Sequence, residues 1–408
     1  MNTKETASQN NDQDEISKIK NHFLKFSLYR TILFVGIAMI LTIFSVFGGR
    51  IVAHYLPERN IFRNRANNLS VHFIDVGNGY ATAVRFPDNT VALIDGGSQF
   101  FGRRVEQYLR RRVIFSGNRI DYLILTAPRP SHFGGMLRIL DNFNVQNVYL
   151  PLQSPDTVPN HPNDFAFDYY DFADFAKEHS ARIGHLQSGI TILSGIIGNK
   201  NFNLMVHAIV PENHEFAGIN LNNVSSVITI EFGNQVFVLA GNSISAGETA
   251  FINSPSSTHI FGDFFDENRG NHGKVVHLGV GSNGCNQNSS MVPFLEYVNP
   301  HNAIISVGVS NYCQAYSYVR ARLLNFVDRN NIFLTRELSH IAIRTDGQSY
   351  RMFLGFDNPP NLWWLYAILI IIAFFLCFFN YTFKYQKKIK VSDSNNPNTI
   401  DITPSKKI

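Results

Sequence analysis

Residues 120–137, IDYLILTAPRPSHFGGML, place side chains that can bind a metal at the end of a predicted strand. Their first third is an apolar run typical of a buried strand. His132 follows in a predicted loop, and α/β folds hold ligands in loops at the carboxyl ends of strands. Gly134 and Gly135 then permit close backbone approach before a helix. The pattern predicts a strand, a ligand-binding loop and a helix.

A hydrolytic zinc centre needs several imidazoles and carboxylates in fixed geometry, and the two-metal version holds its ions about 3.5–4 Å apart. His132 is the one such ligand in this loop, and Arg129 adds a fixed positive charge three residues before it. One histidine cannot hold such a site. Four further histidines show no spacing that predicts a rebuilt one: His207, His214, His259 and His272.

The loop resembles the metal loop of the metallo-β-lactamase superfamily, in the form found in the extracytoplasmic domain of ComEC-like competence channel proteins. That loop reads T-H-x-D-x-D-H, then G-G-[LM]. The matching positions are Thr126, His132, Gly134, Gly135 and Met136. The first His and the two Asp of the pattern are replaced by Ala127, Arg129 and Ser131. The frame of the loop is present and most of its ligands are missing.

Two upstream segments resemble the family motifs F-x-D-V-G-Q-G-D-A and L-I-D-G-G. Residues 70–86 are predicted to form two strands around a glycine-rich turn, and residues 91–97 a third strand. Asn78 stands for the family's Gln, and Tyr80 for its second Asp. The second change removes a carboxylate that usually lies near the metal pocket.

Two downstream segments also follow the family pattern without its ligands. Residues 225–242 are predicted to form a hairpin, which in the family ends in T-G-D and here ends in Asn242, a poorer metal ligand. Residues 274–282 match a segment that ends in P-H-H-G-S, with Gly279 and Val280 in place of the two histidines. His277 in the same strand is interpreted as a packed core residue.

The resemblance covers about residues 70–350 and implies an α/β fold, a metallo-β-lactamase-like αββα sandwich over residues 70–352. Other predicted elements are a helix at 101–113, a strand at 144–151, a helix at 169–181, strands within 185–193 and 203–211, a strand at 303–308, a helix at 316–329 and a hairpin ending at Met352. The replaced ligands imply a pseudoenzyme without catalytic residues, metal or cofactor, with His132 as a hydrogen-bonded remnant.

Two apolar runs without charge, residues 31–49 and 362–379, flank this domain in a chain of 408 residues with 16% charged residues. Each can cross a hydrocarbon core of about 30 Å as a helix. Trp363, Trp364 and Tyr366 suit an interfacial aromatic belt. The first run follows a polar tail and lacks a good cleavage site, so a signal anchor is favoured over a cleaved signal peptide.

The lysines that follow the second run, at 384, 387, 388 and 390, predict that the C-terminus is cytoplasmic. Two spans then place both tails, residues 1–30 and 380–408, in the cytoplasm. The linker at 50–69 and the domain at 70–352 lie outside it. The expected location is a bacterial inner membrane, crossed twice, with a periplasmic or extracytoplasmic domain.

A cluster of basic residues lies on the predicted helix 101–113: Arg103, Arg104, Arg110, Arg111 and Arg112. It can be a solvated helix face or a phosphate-binding patch. The net charge of +4 does not itself indicate nucleic acid.

Two cysteines, Cys285 and Cys313, fall in the domain predicted to be external, where disulfides can persist. In the family the two loops that carry these positions converge on the metal pocket, which implies a disulfide as one alternative. Two buried free thiols are the other.

Three functions remain open at this stage. One is a binding or scaffolding subunit of an envelope assembly, such as a secretion or uptake machine. The second is a surviving phosphodiesterase or nuclease with atypical ligands. The third is a non-catalytic DNA binder in ComEC-like uptake. Metal content separates the second from the others, and salt-dependent DNA affinity separates the third from the first.

Overall fold

The computed structural model describes Gly36 and residues 67–151, 164–210, 224–262, 274–281, 289–308 and 315–355. All of these except Gly36 belong to one compact unit, Pro57–Asn358.

The first sheet has eight strands in the order β15-β14-β1-β2-β3-β4-β5-β6. Their bounds are β1 Leu69–Phe73, β2 Thr82–Arg85, β3 Val91–Ile94, β4 Arg119–Ile124, β5 Asn144–Leu150, β6 Ser180–His185, β14 Ile341–Thr345 and β15 Tyr350–Leu354. Strands β3 to β6 run parallel, and the remaining neighbours pair antiparallel. The carboxyl ends of β3 and β4 therefore meet at the same edge of the sheet.

The second sheet has seven strands in the order β13-β12-β11-β10-β9-β8-β7. Their bounds are β7 Thr191–Ile197, β8 Lys200–Val210, β9 Ser225–Phe232, β10 Gln235–Gly241, β11 Val275–Gly281, β12 Asn302–Ser306 and β13 Ile332–Leu334. Strands β7 to β10 are antiparallel neighbours, and β10 to β13 run parallel. The ends of β10, β11 and β12 consequently share one edge.

Within the described ranges, eight α-helices lie around the sheets: α1 Gly102–Tyr108, α2 Pro130–Asn142, α3 Asp164–His179, α4 Ser245–Ile252, α5 Pro255–Phe261, α6 Val292–Val298, α7 Ala315–Leu323 and α8 Thr335–Leu338. A single π-helical turn, Leu109–Val113, continues α1.

Three hydrophobic cores separate four layers. Helices α1, α2 and α3 pack on the outer face of the first sheet, through residues such as Tyr108, Met136 and Phe172. The inner faces of both sheets meet in a second core. Helices α4 to α7 pack on the outer face of the second sheet, where Phe251 and Phe294 are fully buried. The described chain is therefore an αββα sandwich, as the sequence predicted.

Most predicted strands are confirmed, and the helix boundaries differ. Helix α2 begins at Pro130, ahead of the predicted start, because proline suits the first helical position. The helix predicted at 169–181 is α3 and ends at His179, where the unpredicted edge strand β6 begins. The helix predicted at 316–329 ends at Leu323, and α4 and α5 were not predicted.

No helix in the described ranges is long and apolar enough to cross a membrane. The two predicted spans, 31–49 and 362–379, lie outside those ranges, apart from Gly36. Cys285 and Cys313 also lie outside them, so the disulfide stays a prediction.

Candidate functional site

The motifs singled out in the sequence meet at one end of the sandwich. Asp95 follows β3 and Thr126 follows β4, so the parallel strands bring these residues side by side. The turn between β1 and β2 is tied to the end of β12, because the Ser306 hydroxyl donates to the Gly79 carbonyl oxygen at 3.0 Å. The Gly308 N–H also donates to the side-chain oxygen of Asn78 at 3.0 Å. Loops of both sheets thus converge on one site.

Asp95 is the centre of a buried hydrogen-bond network. It is fully buried, and it adopts φ = 57°, the left-handed region that Asp tolerates better than most residues. One carboxylate oxygen accepts the Thr126 backbone N–H at 2.8 Å. The other accepts the Thr126 hydroxyl at 2.6 Å and the His132 Nδ1–H at 2.8 Å. Both oxygens of Asp95 are therefore engaged by protein donors.

His132 reaches Asp95 because of how α2 begins. Pro130 occupies the first helical turn, and the extended backbone of Arg129 caps it, so His132 lies on the first turn of the helix. Gly135 lets that turn approach β3, since a Cβ atom at this position would clash with the Gly96 carbonyl oxygen. The Gly96 N–H donates to the His132 carbonyl oxygen at 2.6 Å. The glycine pair makes the close backbone approach that was predicted, and His132 is buried and hydrogen-bonded.

Tyr80 fills the space between His132 and the second sheet. The Tyr80 ring stacks on the His132 ring with centroids 6.5 Å apart, and Tyr80 is only 1% exposed. A Cβ atom at Gly279 would lie 2.5 Å from the Tyr80 hydroxyl oxygen and 2.8 Å from Phe73. Burial, the main cause, raises the pKa of Tyr80 above its ordinary value, so the hydroxyl stays neutral. No side chain can extend from position 279 while Tyr80 holds this conformation.

The other positions predicted to have lost a metal ligand differ in how deeply they are buried. Ala127 is fully buried, Asn242 is 5% exposed, and Ser131 is partly exposed. Arg129 is also partly buried, which lowers the pKa of its guanidinium. Val280 packs in the core between the second sheet and its helices, away from Gly279, which faces Tyr80. Alternation along β11 sends these two neighbouring residues to opposite faces.

The residues present do not fit a two-metal centre. Within the described part of the chain, no group of three or more His, Cys, Asp or Glu side chains is close enough to hold a metal ion. Asp95 and His132 contact each other directly, with the histidine Nδ1 2.8 Å from the carboxylate, so their polar atoms are already engaged. Asp75, from the D-V-G motif, turns away to form an ion pair with Arg104 at 2.8 Å.

The five arginines predicted as a phosphate-binding patch do not share one environment. Arg104 pairs with Asp75, and Arg110 pairs with Glu106 at 3.1 Å. Arg112 is buried, with 7% of its surface exposed, and therefore cannot contribute to an open patch. Arg103 and Arg111 are exposed. Phosphate binding stays a prediction that rests on these two residues.

Five further histidines were considered from the sequence. His277 is buried between Gln235 and Asn302, at 3.0 and 3.2 Å, and burial lowers its pKa to about 3. It is a packed core residue, as predicted. His207 bonds Ser256 and Thr229, and its pKa is lowered by burial to about 4. His259 is exposed, whereas positions 214 and 272 lie outside the described ranges.

No protein-family model matches the sequence, and a comparison with curated protein sequences finds no match. Among solved structures, the chain is similar to CmlA, a diiron beta-hydroxylase from Streptomyces venezuelae, with 14% identity and a TM-score of 0.37 over 68% of this chain and 54% of that one. It is similar to a Cronobacter sakazakii metallo-beta-lactamase, with 12% identity and a TM-score of 0.28 over 45% and 64% of the two chains. It is also similar to the metallo-beta-lactamase SMB-1, with 14% identity and a TM-score of 0.29 over 62% of this chain and 95% of that one. The chain spans about half the length of CmlA.

Two residues of the site were not named as functional from the sequence. Asp95 was recognised only as part of the L-I-D-G-G match, although a buried acid next to a strand end was a usable signal. Tyr80 was noted as the loss of a carboxylate. That its ring would fill the space beside Gly279 depends on contacts between the two sheets, which no local pattern contains.

Proposed function

We propose that this chain is a catalytically inactive, ComEC-like relative of the metallo-β-lactamases, which acts as a membrane-anchored binding or scaffolding subunit of a bacterial envelope assembly. The observation that carries the proposal is the position of Tyr80. Its buried ring stacks on His132 and excludes a side chain from position 279, where the family pattern has a histidine.

Hydrolysis by this fold requires open coordination positions, a bound water and room for substrate. Here the site has a closed polar core instead. Both Asp95 oxygens accept hydrogen bonds from Thr126 and His132, and these groups are at most 3% exposed. Opening such a network for a metal would leave buried polar groups unpaired, at a cost of about 1–3 kcal/mol each. The network therefore favours a structural role for the loop.

The proposed anchors are the apolar segments 31–49 and 362–379, with both tails in the cytoplasm and the sandwich outside it. A double anchor with an inactive domain between its spans suits a protein that holds other proteins at the membrane. Purification of the full-length protein from membranes, with identification of its co-purifying neighbours, tests this role. Recovery of the full chain in the soluble fraction without detergent would contradict the anchoring.

Metal content tests the inactive site. The full-length protein, produced with zinc and manganese supplied and purified without chelators, is expected to hold well under one ion per chain by elemental analysis. His132→Ala is the matched control. Stoichiometric metal that disappears in this variant would overturn the proposal, as would phosphodiesterase activity abolished by EDTA. Equal metal content in the parent and in His132→Ala would indicate adventitious binding away from this site.

A second candidate function is DNA binding or processing in ComEC-like uptake. The exposed Arg103 and Arg111 favour it, and Phe100, three residues before Arg103, is 89% exposed, which suits stacking on a base. Binding that weakens steeply with salt is the expected signature. Similarity to the family is not by itself evidence that this chain binds DNA.

A further inference from the structure

A polar cavity of about 440 Å³ lies at the end of the sandwich opposite Asp95. It is lined from the turn between β9 and β10, whereas Asn242 follows the other end of β10. Its volume falls within the range of small-molecule sites, roughly 300–1,000 Å³. None of the residues discussed at the closed site belongs to its lining. The cavity is therefore a separate feature of the fold.

The cavity is built on turns from both sheets that are locked together. The Asn234 N–H, in the turn between β9 and β10, donates to the Gly347 carbonyl oxygen in the turn between β14 and β15 at 2.6 Å. Lys200, at the start of β8, donates to the Asp346 carbonyl oxygen at 2.5 Å. Gly233 and Gly347 both adopt positive φ, and the two turns can pack closely because glycine lacks a Cβ atom, which at position 233 would clash with the Gly347 carbonyl oxygen. The walls are thus held in place before any ligand binds.

The floor of the cavity is a preorganised polar group. Glu231 accepts a hydrogen bond from the Asn203 side chain at 3.1 Å and pairs with Lys274 at 2.9 Å. The two charged side chains are 15% and 22% exposed, so the pair is mostly buried. The side-chain oxygen of Asn203 is buried and meets no hydrogen-bond partner within the described residues. Because this oxygen is closed to solvent, Asn203 supports the wall of the cavity through its bond to Glu231 and does not contact a ligand.

The lining chemistry indicates the class of ligand. It contains five amide side chains, each able to donate and accept: Asn199, Asn201, Asn203, Asn234 and Gln348. Its charges are compensated, because Glu231 pairs with Lys274 and Asp346 attracts Lys200. The described lining holds no hydrocarbon side chain, and its one ring is the imidazole of the exposed His259. An uncharged molecule rich in hydroxyls matches amides that both donate and accept.

From this geometry we propose that the cavity is a binding site for a neutral saccharide. Ring hydroxyls would exchange hydrogen bonds with the exposed amides of Asn201, Asn234 and Gln348. The site is independent of the closed cluster around Asp95 and of any metal.

The test uses the full-length protein and three probes, maltose, cellobiose and N,N′-diacetylchitobiose, with inorganic phosphate as the ionic comparison. Titration by saturation-transfer NMR or calorimetry is expected to show saturable binding of at least one saccharide and none of phosphate. Saturable phosphate binding without saccharide binding would overturn the proposal. So would the absence of binding by all three saccharides.

Variants locate the binding. Asn201→Ala is expected to weaken the saccharide about tenfold, the loss expected when a hydrogen bond to the ligand is removed. Gln348→Ala lies on an exposed turn and provides a second test if Asn201→Ala unfolds. Gln146→Ala, on β5 and outside the lining, is the matched control and should bind as the parent does. Unchanged affinity in both cavity variants would place the saccharide elsewhere and refute the assignment.

Discussion

Glu248 gives this protein a dependence of stability on pH that can be worked out from its contacts. The side chain lies on α4 and is 2% exposed. Its two carboxylate oxygens accept the backbone N–H groups of Ser290 and Met291 ahead of α6, the second at 2.9 Å. Burial raises the pKa of Glu248 from 4.5 to about 7, although these hydrogen bonds and Arg322 oppose the shift.

The sign follows from proton binding. Between pH 4.5 and about 7 the folded protein holds a proton on Glu248 that the unfolded chain has released. The free energy of unfolding therefore falls as pH rises through this window and is constant, for this group, on either side. The shift from 4.5 to about 7 corresponds to about 3 kcal/mol. Full-length protein should be less stable at pH 7.5 than at pH 4.5 by that contribution.

Buried histidines act in the opposite sense over part of the same range. Burial lowers the pKa of His72 and His277 to about 3 each, so stability from these groups is lost as pH falls below their ordinary value of 6.5. The raw pH profile therefore mixes both effects. The difference between the parent and Glu248→Gln isolates the carboxylate, because the histidines are common to both proteins.

Urea unfolding of the full-length protein, followed by circular dichroism at several pH values, measures this difference. The stability of the parent relative to Glu248→Gln is expected to fall by about 3 kcal/mol between pH 4.5 and pH 7.5. Glu296→Gln, an exposed acid on α6, is the matched control and should show no such trend. A flat difference, or one that rises with pH, would refute the reasoning.

Three further predictions concern the closed site and the exposed arginines. Gly279→Ala is expected to lower the free energy of unfolding by about 2 kcal/mol, because its methyl group overpacks against Tyr80. Tyr80→Phe in the same chain should recover part of this loss. Additive effects of the two substitutions in the double variant would contradict a clash between the two positions. Asp95→Asn is expected to cost about 3 kcal/mol by denaturant unfolding, because the amide cannot accept all three donors; a loss below about 0.5 kcal/mol would show that the network is not stabilising. Charge reversal at Arg103 and Arg111 is expected to weaken DNA binding on any sequence and to reduce the salt slope by about 2; if the parent fails to bind DNA at low salt, the phosphate patch is wrong.

The sandwich could be predicted from the sequence because its strands are short apolar runs with turn signals at their ends. The run before Thr126 became β4, and the hairpin around Gly233 became β9 and β10. The edge strand β6 escaped prediction because Ser180–His185 has only two apolar side chains, Ala181 and Ile183, and its pairing with β5 is a tertiary contact. Helices α4 and α5 are short, and such elements depend on packing more than on local preference.

The sequence predicted which metal ligands of the family pattern are replaced, but it did not predict how the replacing residues pack. Position 279 could be recognised as a replaced histidine, since glycine offers no side chain. The sequence could not show that Tyr80, from the other sheet, would occupy the same space. Nor could it show that Arg112 would be buried while Arg103 stayed exposed, since the helix carries both. Such outcomes depend on which elements pack together, and these tertiary contacts cannot be derived from local sequence patterns.

The pairing of β1 with β14 has a consequence for how the domain is made. Leu69 lies opposite Thr345 and Phe73 lies opposite Ile341. One edge of β1 therefore stays unpaired until β14 has been synthesised. During synthesis, β1 can pair with β2 at once, but its other edge and the apolar face of the first sheet remain open until almost the whole domain has emerged. Contacts so distant in sequence slow folding and prolong the exposure of unpaired strand edges. We therefore expect nascent chains that end before residue 341 to be strong chaperone clients and early targets of proteolysis, and release from both to coincide with synthesis of the last hairpin.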